Sequence, residues 1–366
     1  MASSLNPDAW EGKSVHSEST LHQLSPFLGK MKSTMAKELV QTYSSPGDTV
    51  LDPFSGSGTV PLEAAIEQRN AIGIDRNPYS ILLSKAKLHP PATEEAAKQA
   101  AEKYLEQIDP EPGVGTDSIP EWVAEFFHPK TLSGIAQLCP LLHENDEHFL
   151  VTCLLGILHH QRPGFLSYPA SNLRPYLRDE KFPREEYPEK YEYRKIEPRL
   201  ISKIERAYRR FPEFDESLRR SVLEGDSADV MQQEIADEVI DTIITSPPYM
   251  NKLDYGRDNR LRLYFLGIED YQELDGSPES RQQYRDFLDR FLTEATRVLR
   301  PNGTLIFVMG ESQRSGAAVD TSEVLTEMIN KEEYNLDIEE AILDKVPQRE
   351  INSMSTNSET ILVLEK

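Results

Sequence analysis

This sequence has no long hydrophobic run and very little cysteine. No apolar stretch reaches the roughly eighteen residues of a membrane span, and no basic segment followed by an apolar one opens the sequence. We therefore expect neither a membrane span nor a signal peptide, and a cytoplasmic location. The two cysteines, Cys139 and Cys153, lie in apolar stretches typical of helices. A buried free thiol is commoner there than a disulfide or a metal pair, so we expect no metal site.

An excess of basic residues is also missing. The 366 residues include 40 Lys and Arg against 62 Asp and Glu, which gives a formal net charge of −22. Binding of nucleic-acid phosphates normally needs a basic surface. The segment from Gln161 to Arg220 differs from the rest, with 15 basic and 11 acidic residues. A locally basic element on an acidic body is compatible with DNA contact, and the acidity elsewhere is compatible with simple solubility.

A strand, a glycine turn, a helix and a second strand follow one another early in the sequence. The patterns predict a strand at Thr49 to Asp52, a helix at Thr59 to Gln68 and a strand at Ala71 to Asp75. Between the first two, Phe54-Ser55-Gly56-Ser57-Gly58 predicts a tight turn in which glycine lets the backbone approach a ligand closely. The lysine of a P-loop and the third glycine of the dinucleotide fingerprint are both missing.

Acidic residues stand at the ends of the next two predicted strands. Asp75 ends the strand after the glycine turn, where a carboxylate can accept hydrogen bonds from ribose hydroxyls. Asp226, in Leu223-Glu224-Gly225-Asp226-Ser227, is expected to close a third strand, where it can accept a hydrogen bond from an adenine amino group. Together the glycine turn and the acid that follows it favour a nucleoside cofactor. Taken alone, Asp226 is equally compatible with a solvated loop.

The stretch Thr245-Ser246-Pro247-Pro248-Tyr249 follows an apolar run, Ile240 to Ile244, that predicts a buried strand. Two prolines cannot continue a strand ladder, because neither has an N–H to donate. The carbonyls around Ser246 and Pro247 are thus left to accept hydrogen bonds from a ligand, and Tyr249 offers a flat face for stacking. The stretch predicts a cradle for a planar amine, with a plain strand-ending turn as the alternative.

The chain divides into segments of different pattern. Residues 1–20 are polar and aperiodic and predict a mobile arm, and Leu21 to Tyr43 predicts an amphipathic helix. Residues 21–92 and 221–366 alternate β and α patterns, which is typical of a doubly wound, mostly parallel α/β sheet. The last two predicted strands have no helix between them and predict an antiparallel hairpin at the sheet edge. Residues 93–220 predict a large, mainly helical insertion.

The glycine motif Asp52 to Thr59, followed by Thr245 to Tyr249, resembles the S-adenosylmethionine-dependent amino-group DNA methyltransferases of the N4-cytosine and N6-adenine type. The resemblance covers roughly residues 21–90 and 221–366 and implies a Rossmann-like class I methyltransferase fold with S-adenosyl-L-methionine as cofactor. In a common family arrangement Ser-Pro-Pro-Tyr precedes the glycine motif, whereas here it follows.

The insertion is the candidate target-recognition region, since no sizeable segment follows the last predicted strand. Basic residues at 174–178 and 194–210, with Tyr191, Tyr193 and Tyr208 interleaved, suit contact with phosphates and stacking on bases. A solvated helical face is the alternative.

The resemblance also implies roles for individual residues. Cofactor binding falls to Asp52, Phe54, Gly56, Gly58, Thr59, Asp75 and Asp226. Ser246 and the Pro247 carbonyl would accept hydrogen bonds from the target amine, with Pro248 in the same cradle and Tyr249 stacking on a flipped base. Direct in-line transfer needs no covalent cysteine, and the sequence has no Pro-Cys motif.

The function expected from these features is site-specific methylation of the exocyclic N4 amine of cytosine in double-stranded DNA. Cytosine is favoured because Ser-Pro-Pro-Tyr is commoner in the cytosine-N4 members. Adenine-N6 methylation, RNA methylation and a non-catalytic DNA-binding subunit remain alternatives. A cognate restriction endonuclease is the expected partner if the chain is the modification half of a restriction system. Oligomeric state and recognition sequence stay open.

Overall fold

The computed structural model describes residues 5, 10, 18–172, 174–248, 255–274, 278, 280–310, 321–331, 334–345 and 358–366. Seven strands in these ranges form one sheet. In chain order they are β1 (Thr49–Asp52), β2 (Asn70–Asp75), β3 (Arg220–Glu224), β4 (Ile240–Thr245), β5 (Leu299–Gly310), β6 (Asp337–Lys345) and β7 (Ser358–Glu365).

The sheet has the strand order β3-β2-β1-β4-β5-β7-β6. Strands β1 to β5 pair in parallel, whereas β7 is antiparallel to both β5 and β6. This arrangement confirms the predicted doubly wound, Rossmann-like α/β fold with an antiparallel hairpin at one edge. The strand order reverses between β1 and β4. Open α/β sheets bind their ligands outside the carboxyl ends of the strands at such a reversal, which places the expected site beside Asp52 and Thr245.

Helices connect and flank the strands. In chain order those of the described residues are α1 (Ser33–Tyr43), α2 (Thr59–Ile66), α3 (Pro78–Leu88), α4 (Glu94–Leu105), α5 (Glu121–Ala124), α6 (Pro129–Glu144), α7 (His148–Gly156), α8 (Ile196–Ala207), α9 (Ser227–Glu234), α10 (Tyr255–Phe265), α11 (Arg281–Val298) and α12 (Thr321–Lys331). None of these helices is long and apolar enough to cross a membrane.

Both faces of the sheet are covered, as the alternation of side chains along a strand requires. On β5, Leu305 and Phe307 pack with residues of α9, α11 and α12. Ile306 and Val308, one position further along, pack on the other face with residues of α1 and α2. A parallel sheet sandwiched in this way explains why the second half of β5 is almost continuously apolar.

Two predictions for the amino-terminal segment need correction. Leu5 and Trp10 are buried against the face covered by α1, and the Trp10 indole N–H donates a 2.8 Å hydrogen bond to Asp344. A mobile arm is therefore wrong for these two residues, because burial of their apolar area holds them on the core. The helix predicted from Leu21 begins only at Ser33. Gly29, with a φ of 73°, interrupts the helical path before it.

The insertion shares a hydrophobic core with the sheet domain. Helices α4, α6, α7 and α8 contribute apolar side chains to one cluster together with α3 and α10. Gly156 lies so close to Leu24 that a Cβ added there would stand 2.0 Å from the Leu24 carbonyl oxygen. The Cys139 thiol donates a 3.2 Å hydrogen bond to the carbonyl of Phe265 at the end of α10. The insertion is thereby fixed to the helix that follows the Ser246 motif.

Candidate active site

One cleft opens at the carboxyl ends of β1, β2 and β4. It encloses about 1120 Å³ of atom-free space continuous with solvent. Eight of the eleven residues predicted for the site line it: Asp52, Phe54, Gly56, Thr59, Asp75, Asp226, Ser246 and Pro248. Gly58 and Pro247 do not line it, and Tyr249 lies outside the described residues. The two motifs, almost two hundred positions apart in sequence, thus face one space.

Asp52 lies at the bottom of the cleft, at the end of β1, and is 4% exposed. Its Oδ1 accepts hydrogen bonds from the Thr245 hydroxyl at 2.7 Å and from the Phe54 amide at 3.2 Å. Burial raises the pKa of the Asp52 carboxyl to about 7, and the nearby Asp75 carboxylate adds to the rise. The hydrogen bonds from Thr245 and Phe54 lower the pKa and so oppose part of this rise. A cationic ligand would favour the charged form of this carboxylate.

Asp75, at the end of β2, holds the glycine turn in place. Its Oδ2 accepts a 2.8 Å hydrogen bond from the Gly56 amide, and its Oδ1 accepts one of 2.8 Å from the Asn77 amide. Gly56 has a φ of 48°, in the left-handed region that favours glycine. Burial raises the pKa of Asp75 to about 6 despite these bonds. The carboxylate is therefore positioned before any ligand arrives.

Gly58 serves the packing of the turn. Its φ is 69°, and it precedes the first residue of α2. A Cβ added to it would stand 2.6 Å from the Ser84 hydroxyl and 3.0 Å from the Ser84 Cα on α3. The buried Lys87, also on α3, donates a hydrogen bond to the Ser57 carbonyl. The turn is thus fixed on its outer side by α3 and on its inner side by Asp75.

Asp226 does not close β3, which ends at Glu224, but caps the helix that follows. Its carboxylate accepts hydrogen bonds from the Ala228 amide at 3.2 Å and the Asp229 amide at 3.5 Å. The guanidinium of Arg290 lies 3.5 Å from Oδ1. The Asp226 side chain is 37% exposed on the rim of the cleft. The capping role explains its position, and the side chain still borders the cleft.

Ser246 and Pro248 form the wall opposite the glycine turn. Both are half-buried and line the cleft, whereas Pro247 between them is buried behind the wall. Thr245, the last residue of β4, anchors the wall through its hydrogen bond to Asp52. Residues 251–254 lie outside the described residues, and Tyr255, Gly256 and Arg257 start α10.

Sequence reasoning missed several apolar lining residues. Phe27, Leu274 and Phe287 border the cleft. Phe287 packs its ring 5.4 Å from that of Phe54, measured between centroids. Each of these residues lies on a segment that only tertiary packing brings to the cleft. For Phe287, the amphipathic pattern of α11 was the available sequence signal, but such a pattern predicts a buried helix face and not a ligand site.

The aromatic and basic residues predicted to contact nucleic acid in the insertion are largely used internally. Arg194 is 5% exposed and donates hydrogen bonds to the carbonyls of Phe165 at 3.0 Å and Lys190 at 2.9 Å. Tyr208 stacks on Phe211 with ring centroids 4.4 Å apart. The prediction of nucleic-acid contact is wrong for Arg194, because its guanidinium is buried, whereas Tyr208 is half-buried and its hydroxyl donates a 2.6 Å hydrogen bond to the Pro91 carbonyl. Tyr176 and Tyr193 remain exposed.

Comparison with known proteins decides the family. A family model described as DNA methylase, of the N6 and N4 amino-methyltransferases, matches residues 7–86 and 240–366, which is more than half of the chain. The chain belongs to this DNA methylase family. Its members use S-adenosyl-L-methionine. The unmatched stretch between the two matched segments contains the whole insertion.

Individual relatives are more distant. The type II methyltransferase M.BsoBI of Geobacillus stearothermophilus is 26% identical over 69% of this chain and 53% of its own length. The type II methyltransferase M.MvaI of Kocuria varians is 19% identical over 88% of this chain and 83% of its own length. The chain thus spans about half the length of the first relative. Among solved structures, TrmN from Thermus thermophilus is 14% identical, with a TM-score of 0.38 over 95% of this chain and 53% of TrmN.

Proposed function

We propose that this DNA methylase transfers a methyl group from S-adenosyl-L-methionine to the exocyclic N4 amine of cytosine in double-stranded DNA. One observation carries the proposal. The glycine turn, Asp52 and Asp75 line the same cleft as Ser246 and Pro248. The 2.7 Å hydrogen bond between Thr245 and Asp52 joins the two sides of this cleft. A donor wall and an acceptor wall facing each other suit direct transfer by positioning.

The residues of the cleft fit the cofactor. The Ser55 hydroxyl lines the cleft and is a buried oxygen without a hydrogen-bond partner among the described residues. A polar ligand would satisfy it. Asp75 would hold the ribose hydroxyls and Asp226 the adenine amino group, while Asp52 would face the positive charge of the sulfonium. When bound, the cofactor supplies an electrophilic methyl group on a cationic sulfur.

The opposite wall is suited to an amino group. The Ser246 hydroxyl would accept a hydrogen bond from one amine hydrogen and a backbone carbonyl of the Ser246–Pro248 wall one from the other, which directs the nitrogen lone pair toward the cofactor side. Hydrogen bonds that strengthen as positive charge develops on the nitrogen stabilise the transition state. A base stacked in a duplex cannot reach this wall, so the target base must be flipped, at a cost of about a few kcal/mol.

The choice of cytosine rests on the serine at position 246. Ser-Pro-Pro-Tyr is the form commoner among the cytosine-N4 members that the sequence resembles. Ser246 borders the cleft next to the buried Thr245, so its side chain is well placed to sense the target amine.

The variant Ser246→Ala tests the wall directly. Cofactor affinity, measured by calorimetry, is expected to stay at the wild-type value. The single-turnover rate of methyl transfer to DNA is expected to fall about 100-fold, which is the usual effect of removing one transition-state hydrogen bond. Ser217→Ala, which removes an exposed hydroxyl that donates to Asp215 away from the residues lining the cleft, is the control and should leave the transfer rate unchanged. A wild-type rate in Ser246→Ala would show that the amine does not bind there.

A further inference from the structure

Four arginines surround the turn that follows α7. Arg162 belongs to this turn, which spans residues 160–165, and Arg178, Arg194 and Arg199 reach it from later parts of the insertion. We refer to these four residues as the arginine cluster. Within the part of the chain that the structure describes, none of them forms an ion pair with a carboxylate. Like charges held together without counter-charges repel one another, so a bound anion would stabilise the cluster.

Neutral oxygen atoms hold these guanidinium groups in place. Arg199 Nε donates a 3.1 Å hydrogen bond to the Pro163 carbonyl, and Arg178 Nη1 donates one of 2.9 Å to the Gln161 side-chain oxygen. The buried Arg194 is likewise anchored to backbone carbonyls. A guanidinium has more N–H donors than these bonds use, and a neutral acceptor leaves its charge in place. The groups are therefore ordered and still able to bind an anion.

The arginine charges act on their neighbours. The pKa of Arg194 is lowered to about 10, first by burial and then by the charge of Arg199. The pKa of His160 is lowered by burial and by the charges of Arg162 and Arg178. His160 Nδ1 accepts a 3.0 Å hydrogen bond from the Arg162 amide, as a neutral imidazole can. The histidine adds no charge of its own, and the fields of Arg162 and Arg178 overlap at its ring.

Acidic residues near the arginine cluster do not cancel its charge. Asp179 and Glu180 follow Arg178 in sequence, and neither forms an ion pair with the cluster. Glu197, in the first turn of α8, is ion-paired with Lys195. Four arginines against Asp179 and Glu180 leave an excess of positive charge on this surface, although the chain as a whole has a net charge of −22.

A series of side-chain contacts links the turn to the cofactor cleft. Phe27 lines the cleft, and its ring stacks on that of Tyr79 with centroids 6.2 Å apart. The Arg262 guanidinium lies 5.7 Å from the Tyr79 ring centroid, and its Nε donates a 3.4 Å hydrogen bond to the Leu155 carbonyl in the last turn of α7. The turn at residues 160–165 begins shortly after α7 ends. The arginine cluster therefore lies on the side of the protein where the cleft opens.

We propose that the arginine cluster binds the phosphate backbone of the DNA that carries the target base. This inference rests on the proposed function. Arg162, which is exposed, and Arg178 and Arg199, which are half-buried, contact phosphates. The buried Arg194 holds the turn and adds to the positive potential. Arginine binds phosphate oxygens through paired, charge-assisted hydrogen bonds, which position a duplex without reading its sequence. The insertion thus supplies affinity for DNA on the side where the cleft opens.

Salt dependence of DNA binding tests the proposal. The double variant combines Arg162→Gln with Arg178→Gln and leaves Arg199 in place, because Arg199 also supports the turn. Affinity for a labelled duplex of about 30 base pairs is measured by fluorescence anisotropy from about 50 to 200 mM salt, where each phosphate contact contributes about 0.9 to the slope of log K against log salt. We expect the slope to decrease by about 1 to 2 and binding to weaken about 10-fold at the middle of the range.

A single substitution decides the question if the double variant is unstable. Arg162 is exposed, and its side chain forms no hydrogen bond within the described residues, so Arg162→Gln removes a charge with little effect on packing. We expect its slope to decrease by about 0.9. Melting temperatures establish which variants are folded. A wild-type slope in every folded variant would overturn the proposal.

Controls separate the arginine cluster from positive charge elsewhere. Arg219 is exposed, forms no ion pair among the described residues and donates a 2.8 Å hydrogen bond to the Ser221 hydroxyl. It precedes β3, so it lies at the end of the sheet opposite the cleft. Arg219→Gln should change neither slope nor affinity, and a decrease equal to that of Arg162→Gln would overturn the proposal. Arg162→Lys with Arg178→Lys keeps both charges and should keep the wild-type slope.

Failure of the arginine cluster and failure of the proposed function can be told apart. Methyl incorporation by the wild-type protein is measured on the same duplex with labelled cofactor. Incorporation together with an unchanged slope in the folded variants contradicts the role of the cluster alone. Absence of incorporation contradicts the proposed function, whereas the salt slopes still report on the cluster.

Discussion

The Thr245 hydroxyl donates a 2.7 Å hydrogen bond to Asp52 Oδ1, across the point where the strand order of the sheet reverses. Thr245 ends β4 and Asp52 ends β1, so the bond connects the last residue before Ser246 to the first residue of the glycine motif. Both side chains are buried. This side-chain bond therefore adds to the backbone pairing of β1 with β4 in fixing the relative position of the two cleft walls, and several expectations follow from it.

Thr245→Val removes this hydrogen bond while keeping the shape of the side chain. Because the bond goes to a buried carboxylate, we expect the free energy of unfolding to fall by about 2 kcal/mol and the rate of methyl transfer to fall with it. Thr242→Val is the matched control, since Thr242 lies on the same strand and its hydroxyl donates a 2.7 Å hydrogen bond to the Tyr43 carbonyl away from the cleft. Urea denaturation and single-turnover kinetics should show lost stability in both variants and lost activity only in Thr245→Val.

Asp52→Asn is expected to stabilise the protein at high pH. The folded-state pKa of Asp52 is about 7 against an ordinary 3.8, so the folded protein binds this proton more tightly than the unfolded chain does. Its contribution to stability is complete below pH 3.8 and is lost as the pH rises to about 7. Asparagine keeps an oxygen for Thr245 and Phe54 and has no charge to bury. At a pH well above the raised pKa, we expect the free energy of unfolding of Asp52→Asn to exceed that of the wild type by about 2 kcal/mol.

The cofactor affinity of Asp52→Asn should decrease, in contrast to its stability. A carboxylate opposite a sulfonium cation favours binding, so Asp52→Asn should bind S-adenosyl-L-methionine about 10-fold more weakly while it gains stability. Equal thermal shifts for wild type and variant on adding the cofactor would contradict the assignment of Asp52 to the sulfonium side.

Much of the glycine-turn side of the cleft could be predicted from sequence because its signals are local. Asp52, Gly56 and Asp75 belong to one strand–turn–helix–strand unit, and the end of each strand is marked by a change in polarity. Phe27, Leu274 and Phe287 could not be assigned, since they reach the cleft only through the packing of separate segments. Trp10 was misread for the same reason. Its polar neighbours suggest a mobile arm, whereas its partner Asp344 is more than three hundred positions away.

Gly58→Ala tests the packing of the glycine turn on α3. The new Cβ would stand 2.6 Å from the Ser84 hydroxyl, and the alanine backbone would have to keep a φ of 69°. We therefore expect the free energy of unfolding to fall by about 2 to 3 kcal/mol and cofactor binding to weaken. Gly113→Ala has a similarly unfavourable φ of 95° with nothing within 4 Å, and it isolates the backbone strain. Denaturation curves that coincide for the two variants would mean that contact with α3 contributes nothing.

Asp226→Ser separates the capping role of Asp226 from its place on the cleft. Serine caps helices about as well as aspartate, so the melting temperature should hardly change. Affinity for S-adenosyl-L-methionine should fall about 10-fold, because a charged acceptor for the adenine amino group is lost. Asp226→Ala should bind as weakly and also lose about 1 kcal/mol of stability. Wild-type affinity in Asp226→Ser would restrict this residue to the helix cap.

The most direct test of the central claim is mass spectrometry of the nucleosides from unmethylated DNA incubated with the purified protein and isotope-labelled S-adenosyl-L-methionine. The two walls joined by Thr245 and Asp52, with serine at position 246, predict label in N4-methylcytosine and its loss in Ser246→Ala. Label in N6-methyladenine would contradict the choice of cytosine, and unlabelled DNA from a protein that binds the cofactor would contradict the proposed reaction.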